Sequence, residues 1–231
     1  MRPTLVMIPA LCCDEALYAG ATEALGDLVE TRTLVVAAST FADCGAQILD
    51  QCAGPLIVLG TSFGGHVARE LALNAPERIR GLCIIGAGAS AVADPAGGRI
   101  RGERLRTGRQ EEVYGAFAKI ITHLPGPRGA GARDVFLAMA RRGDPERAAL
   151  QNDALLGRVD RWDDLARIAC PSLLLWGRHD QFAPASDGLR MAGLIPGARY
   201  VEIADCGHLP TLEAPDEAYG AIRHWLLEHF P

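Results

Sequence analysis

No apolar run in the 231-residue chain approaches the roughly 20 residues that a bilayer-spanning helix needs, so no segment reads as a membrane anchor. Positive charge is not in surplus either: 23 Lys and Arg stand against 28 Asp and Glu, a net charge of −5. A nucleic-acid footprint needs a basic surface, and none is expected. Cysteine pairs of the CxxC kind are absent. Cys12, Cys13, Cys44, Cys52, Cys83, Cys170 and Cys206 are odd in number and scattered. That argues against a disulfide framework and against a zinc site, and leaves free thiols in a reducing cytoplasm as the expectation. A charged leader is missing too. "MRPTLVMIPALCCDEALY" has one Arg and then a short apolar run that Pro9 interrupts, so it reads as a first strand rather than a signal peptide. There is no internal repeat, and the only low-complexity stretch is "LPGPRGAG" at 124–131.

What is present is apolar content in short runs. Nearly half the residues are hydrophobic, enough for one α/β domain with room for an insertion. "TLVMIP" (4–9), "LVETRTLVV" (28–36), "PLIVLG" (55–60), "IRGLCIIGAG" (79–88), "SLLLWG" (172–177) and "ARYVEIA" (198–204) read as strands. Helical patterns fall between them, at 14–25 with Asp14 as N-cap, 41–52, 62–74, 184–194 and 214–230. The run at 55–60 is continuous and β-branched, as a central strand covered on both faces requires, and Pro55 is tolerated because it opens that strand. Strands alternating with helices imply right-handed βαβ units and a parallel sheet.

The rhythm fails between about 89 and 168, where no strand is expected. Helical candidates near 99–107, 109–123, 132–142, 145–157 and 161–167 fill the gap. Residues 91–160 hold twelve Lys and Arg against nine Asp and Glu, which leaves about −8 on the rest of the chain. Residues 1–90 and 166–231 are therefore read as a core and 91–165 as a helical cap. Sites in open α/β sheets lie at the carboxyl ends of the strands, so an insertion leaving the fourth strand there overhangs the site. Tyr114, Phe117, Ile121, Phe136 and Met139 recur at spacings of three and four. They are the expected apolar roof of a substrate pocket.

The stretch "IVLGTSFGGHVA" joins the third strand to the next helix through Ser62. A Gly-x-Ser-x-Gly turn in that setting is a nucleophile elbow: Gly60 and Gly64 remove side chains that would collide in so tight a turn, and Ser62 stands at a helix N-terminus that favours developing negative charge. A serine hydroxyl needs a base. Of His66, His123, His179, His208, His224 and His229, His208 follows the last strand in "ADCGHLPTLEAP", at the same end of the sheet as Ser62. His224 and His229 lie on the terminal helix, His66 one turn after Ser62, and His123 in the insertion. The base needs an orienting carboxylate, and Asp180 follows the fifth strand in "LLLWGRHDQFAP". Asp187 and Asp205 are alternative acids, although Asp205 lies only three residues before His208. The resulting order of serine, acid and histidine is that of a strand-borne hydrolase triad.

These motifs, "GTSFGG", "LLLWGRHDQFAP" and "DCGHLPTLEAP", resemble those of the α/β-hydrolase superfamily, and the resemblance runs over essentially the whole chain. "VMIPALCCDEALY" resembles the oxyanion loop of small bacterial carboxylesterases, the pimeloyl-acyl-carrier methyl ester esterases among them, with Pro9 and Ala10 where the family usually has His-Gly. The resemblance implies an oxyanion hole from the backbone N–H groups of Leu11 and Phe63. It also implies a sheet of six parallel strands in the order 2-1-3-4-5-6, without the family's two N-terminal antiparallel strands. The implied activity is hydrolysis of a small-molecule carboxylic ester through an acyl-enzyme, with no metal and no organic cofactor. Lactonases, thioesterases and carbon–carbon bond hydrolases share the triad, and some members of the fold are small-molecule receptors.

Overall fold

A computed structural model describes residues 2–231. Its strands are β1 (Thr4–Ile8), β2 (Glu30–Thr33), β3 (Leu56–Thr61), β4 (Ile79–Ile85), β5 (Ser172–Gly177) and β6 (Arg199–Ile203). They form one sheet in the order β2-β1-β3-β4-β5-β6, with every neighbouring pair parallel. This is the expected α/β-hydrolase order. The reason is visible strand by strand: β3 (LIVLGT) and β5 (SLLLWG) are buried at every position, as strands with helices on both faces must be. The edge strand β2 (ETRT) has no buried residue, and charge on an edge strand discourages further pairing. It is also shorter than the nine-residue run suggested.

The core helices are α1 (Ala21–Leu25), α2 (Phe41–Gln51), α3 (Phe63–Asn74), α8 (Ala185–Leu194), the short α9 (Pro210–Glu213) and α10 (Pro215–His229). Helix α3 is buried from Phe63 to Leu73 because it crosses the middle of the sheet. Thr40 caps α2, its side chain accepting from Asp43 N at 3.1 Å. The helix expected over 14–25 is broken. Asp14 caps a 3-10 turn at Glu15–Tyr18, and α1 starts afresh after Gly20. A side chain at Gly20 would press on the Tyr219 ring.

Between β4 and β5 the chain forms α4 (Pro95–Arg106), α5 (Gln110–Ala118), α6 (Gly129–Arg142), α7 (Pro145–Leu156) and a 3-10 segment at Trp162–Arg167, with no strand among the described residues. Helix α4 packs on α7 and α5 on α6. Several polar links fasten this insertion to the rest. Arg142 makes a bidentate pair with Asp14 at 2.6 and 2.7 Å. Arg161 makes one with Glu70 at 3.0 and 2.7 Å. Gln151 Nε2 donates to the Val36 carbonyl at 2.8 Å. Between the links lies an apolar seam. Phe136 is fully buried and its ring centroid stands 6.4 Å from that of Phe117. Met139 Sδ accepts from Asp14 N at 3.5 Å. No helix of the described residues is long and apolar enough to cross a membrane. Truncating Phe136 to Ala leaves a cavity in this seam. It should cost about 3–5 kcal/mol of unfolding free energy in urea denaturation.

Candidate active site

The site begins with a backbone constraint. Strand β3 ends at Thr61 and α3 starts at Phe63, so the reversal is made at Ser62, which adopts φ 54° and ψ −113°. A Cβ on Gly60 would run into the Gly64 carbonyl, and one on Gly64 into the Ile8 carbonyl at the end of β1. Hence the glycine on each side. Ser62 N donates to Ile85 O at 2.8 Å, and Ser62 O accepts from His66 N at 3.1 Å. The end of β1 is tied to the same place. Tyr18 Oη donates to Ile8 O at 2.9 Å, so the 2.8 Å contact with Thr61 Oγ1 has the threonine as donor.

Beyond β1, Cys13 N closes a turn on Ala10 O at 3.0 Å, and Cys12 sits at φ 64°, the left-handed region that a type II turn demands of its third residue. Leu11 is the residue before it. Among the described residues, neither Leu11 N–H nor Phe63 N–H donates to a protein acceptor.

Asp180 and His208 meet across the loops that follow β5 and β6. His208 Nδ1 lies 2.7 Å from Asp180 Oδ2, and both side chains are almost wholly buried. Asp180 Oδ1 accepts from Phe182 N at 2.8 Å and Ala183 N at 3.0 Å. An acidic oxygen on Nδ1 makes that nitrogen the proton donor and leaves Nε2 with its lone pair free. The partner of His208 is thus Asp180. Asp187 stands against Gly88 instead, and Asp205 is exposed.

Glu213 is a residue that sequence reasoning passed over. Buried under the same loop, it accepts from Gly207 N at 2.9 Å and His123 N at 2.7 Å through Oε2, and from Leu209 N at 3.0 Å through Oε1. It therefore holds the backbone on either side of His208. His208 N itself donates to Ile121 O in the insertion at 3.0 Å. The signal was in the quoted motif: a glutamate shortly after a proline that opens a helical turn can reach back to orphan N–H groups.

Ser62 and His208 line one pocket of about 300 Å³, with Leu11, Phe117, Ile121 and Phe182 among the other walls. Of the pocket residues expected from the sequence, Tyr114, Phe136 and Met139 do not reach it. They are buried in the seam between the insertion and the core, where helical spacing marks an apolar face but not what that face meets. Phe117 and Ile121 do line the pocket. His66 lines it as well. Its Nδ1 lies 3.0 Å from Arg69 Nη2, and since a guanidinium only donates, His66 Nδ1 accepts and its proton sits on Nε2. Burial, reinforced by the Arg69 charge, pushes its pKa well below the ordinary imidazole range. His123, His179 and Asp205 bring ligand atoms within 4.8 Å of one another, the His rings stacked at 3.9 Å. That group has the chemistry to hold a divalent metal but lies outside the pocket.

The fold and these motifs define an α/β hydrolase, and the chain belongs to the alpha/beta hydrolase family, whose model matches residues 19–221. It is an enzyme of that type. Among curated relatives, it is 27% identical over 234 residues to the pimeloyl-acyl-carrier-protein methyl ester esterase of Nitrosomonas europaea, covering 93% of this chain and 92% of that one. It is 28% identical over 169 residues to a 2-hydroxy-6-oxononadienedioate/2-hydroxy-6-oxononatrienedioate hydrolase of Cupriavidus pinatubonensis, covering 65% and 55%. Among solved structures, a thermophilic esterase from Thermogutta terrifontis, with malate bound, superposes with a TM-score of 0.91 at 22% identity, over 99% of this chain and 91% of that one.

Replacing Glu213 with Ala strands three backbone donors, each worth about 1–3 kcal/mol when buried without a partner. The variant should lose about 3 kcal/mol or more in thermal or urea denaturation, and Glu213→Gln should lose less because it keeps one acceptor oxygen. The thiols give a second test. All seven cysteines are free. Burial pushes the Cys12 thiol up to about 12 and raises Cys13 and Cys206 as well, so none of the three is ionised at neutral pH. Iodoacetamide at pH 7.5 should leave them unmodified in the native protein by peptide mapping, since the thiolate is the reactive form.

Proposed function

We propose that the chain is a serine hydrolase that cleaves carboxylic esters through an acyl-enzyme, with Ser62 as nucleophile, His208 as base and Asp180 as the carboxylate that orients it. The observation that carries this reading is the Asp180–His208 hydrogen bond of 2.7 Å beside a pocket that His208 shares with a serine on a left-handed strand-to-helix turn. Asp180 holds the proton on His208 Nδ1 and stabilises the imidazolium that forms. His208 Nε2 takes the Ser62 hydroxyl proton as Oγ adds to the acyl carbon. The carbonyl oxygen becomes an oxyanion, and the free N–H groups of Leu11 and Phe63 receive it, each worth about 3 kcal/mol of barrier. Collapse breaks the bond to the alcohol oxygen, which leaves with the proton from His208. A water that His208 deprotonates then attacks the acyl-enzyme, and the acid departs as Ser62 regains its proton.

The esterase named among the relatives supports an ester over other acyl substrates. The proposed substrate is a small molecule, and the proposed setting is the cytoplasm, where seven unpaired thiols stay reduced. Hydrolysis of p-nitrophenyl acetate or butyrate tests the reading. Ser62→Ala should lower kcat by about 10⁴- to 10⁶-fold in a protein that still folds. A variant that keeps more than about a tenth of the rate would show that another group is the nucleophile.

A further inference from the structure

We propose that Arg101 and Arg158 form an anion subsite in the Ser62 pocket, so that the substrate is an ester bearing a free carboxylate a few carbons from the scissile carbonyl; this rests on the hydrolase reading above. Both side chains line the pocket that holds Ser62 and His208. Of the other arginines of the insertion, Arg104, Arg106, Arg109, Arg133, Arg141, Arg142 and Arg161 each pair with a carboxylate, and Arg99, Arg128 and Arg147 stand outside the pocket. Arg101 and Arg158, among the described residues, pair with none.

The way they are held is informative. Arg101 Nε donates to Asn152 Oδ1 at 2.5 Å, and its guanidinium lies 5.7 Å from the Phe117 ring centroid. Arg158 Nε donates to the Ser90 carbonyl at 3.3 Å. Each guanidinium is fixed by Nε, and its terminal Nη groups have no protein acceptor among the described residues. Terminal nitrogens left free on an anchored guanidinium are suited to a carboxylate. Burial disfavours the charge of both, yet arginine remains protonated. The pocket thus holds two partly desolvated cations with no carboxylate in ion-pair contact, an arrangement that an incoming anion relieves.

Two acids share the walls and neither makes an ion pair with Arg101 or Arg158 among the described residues. Asp94 favours the Arg101 charge from a distance, while its Oδ1 caps α4 by accepting from Gly97 N at 2.9 Å. The Asp187 carboxyl is pushed up by burial, with the Arg190 charge opposing that shift. Arg158 lies close enough to Arg101 to disfavour its charge, so the two cations share one part of the pocket wall. A pocket of about 300 Å³ is at the small end for ligand sites and suits a short acid.

The test compares mono-p-nitrophenyl adipate and suberate with p-nitrophenyl hexanoate and octanoate, reading the ratio of kcat/KM between each charged ester and its neutral counterpart. This ratio does not depend on the fraction of enzyme folded. Wild type should favour the charged esters by about 10-fold or more. Arg101→Gln and Arg158→Gln should each lower the ratio by about 10- to 100-fold, chiefly through KM, the range expected for a charged hydrogen bond. A wild-type ratio near one, or variants that leave it unchanged, would overturn the subsite while leaving the hydrolase reading intact. Should neither ester class turn over, the hydrolase reading fails, and the subsite is read without catalysis. Adipate titrated calorimetrically into the Ser62→Ala protein should bind, and should bind at least 10-fold more weakly to Ser62→Ala/Arg158→Gln. Absence of binding to Ser62→Ala would sink the proposal.

Discussion

The carboxyl end of the sheet is organised around a single-residue reversal: the chain leaves β3 and enters α3 at Ser62, held at φ 54°. A non-glycine residue in such a conformation costs on the order of 1–3 kcal/mol. It persists because what flanks it is over-determined. Strand β3 is paired on both sides and buried at every position, Ser62 N is tied to β4, and α3 is enclosed along nearly its whole length. The reversal also brings Gly64 against the end of β1. The loop carrying Leu11 and the turn carrying Ser62 are thereby placed by one packing contact, with Tyr18 fastening the two strand ends.

Buried carboxylates then shape the loops that no sheet ladder reaches. Asp180 divides its oxygens, one accepting from two backbone N–H groups and the other facing His208. Its orientation is set by the backbone before the imidazole is considered. Glu213 does the same work for the backbone around His208. Asp14 caps the turn after the Leu11 loop and receives Arg142 from the insertion. In each case the negative charge is matched by several donors at once, which is the condition for burying it.

The parts of this arrangement that the sequence displays are those whose chemistry is local. Strand positions follow from apolar runs bounded by Gly and Pro, whereas the strand order was implied by the resemblance. Ser62, Asp180 and His208 fall at one edge because each stands just past a strand, and strand ends in a parallel sheet share that edge. Tyr114, Phe136 and Met139 were misplaced for the opposite reason. Their spacing says that α5 and α6 have apolar faces, but the choice between pocket and seam is made by how α6 lies against Asp14 and its neighbours, which is a tertiary fact. Glu213 was hidden because an acid in a loop motif looks solvated until the loop closes over it. The need for glycine at position 20 was hidden because the Tyr219 ring, which a side chain there would meet, lies some 200 residues away in sequence.

The link between Arg142 and Asp14 joins α6 to the segment that begins only three residues beyond Leu11. Helix α6, which packs on the pocket-lining α5, is thereby pinned to the loop with the free Leu11 N–H. In the proposed reaction, the element that measures the acyl chain and the element that holds the oxyanion share a single alignment. In that reaction a change in the seat of α6 on Asp14 reaches both the wall of the pocket and the proposed oxyanion donor.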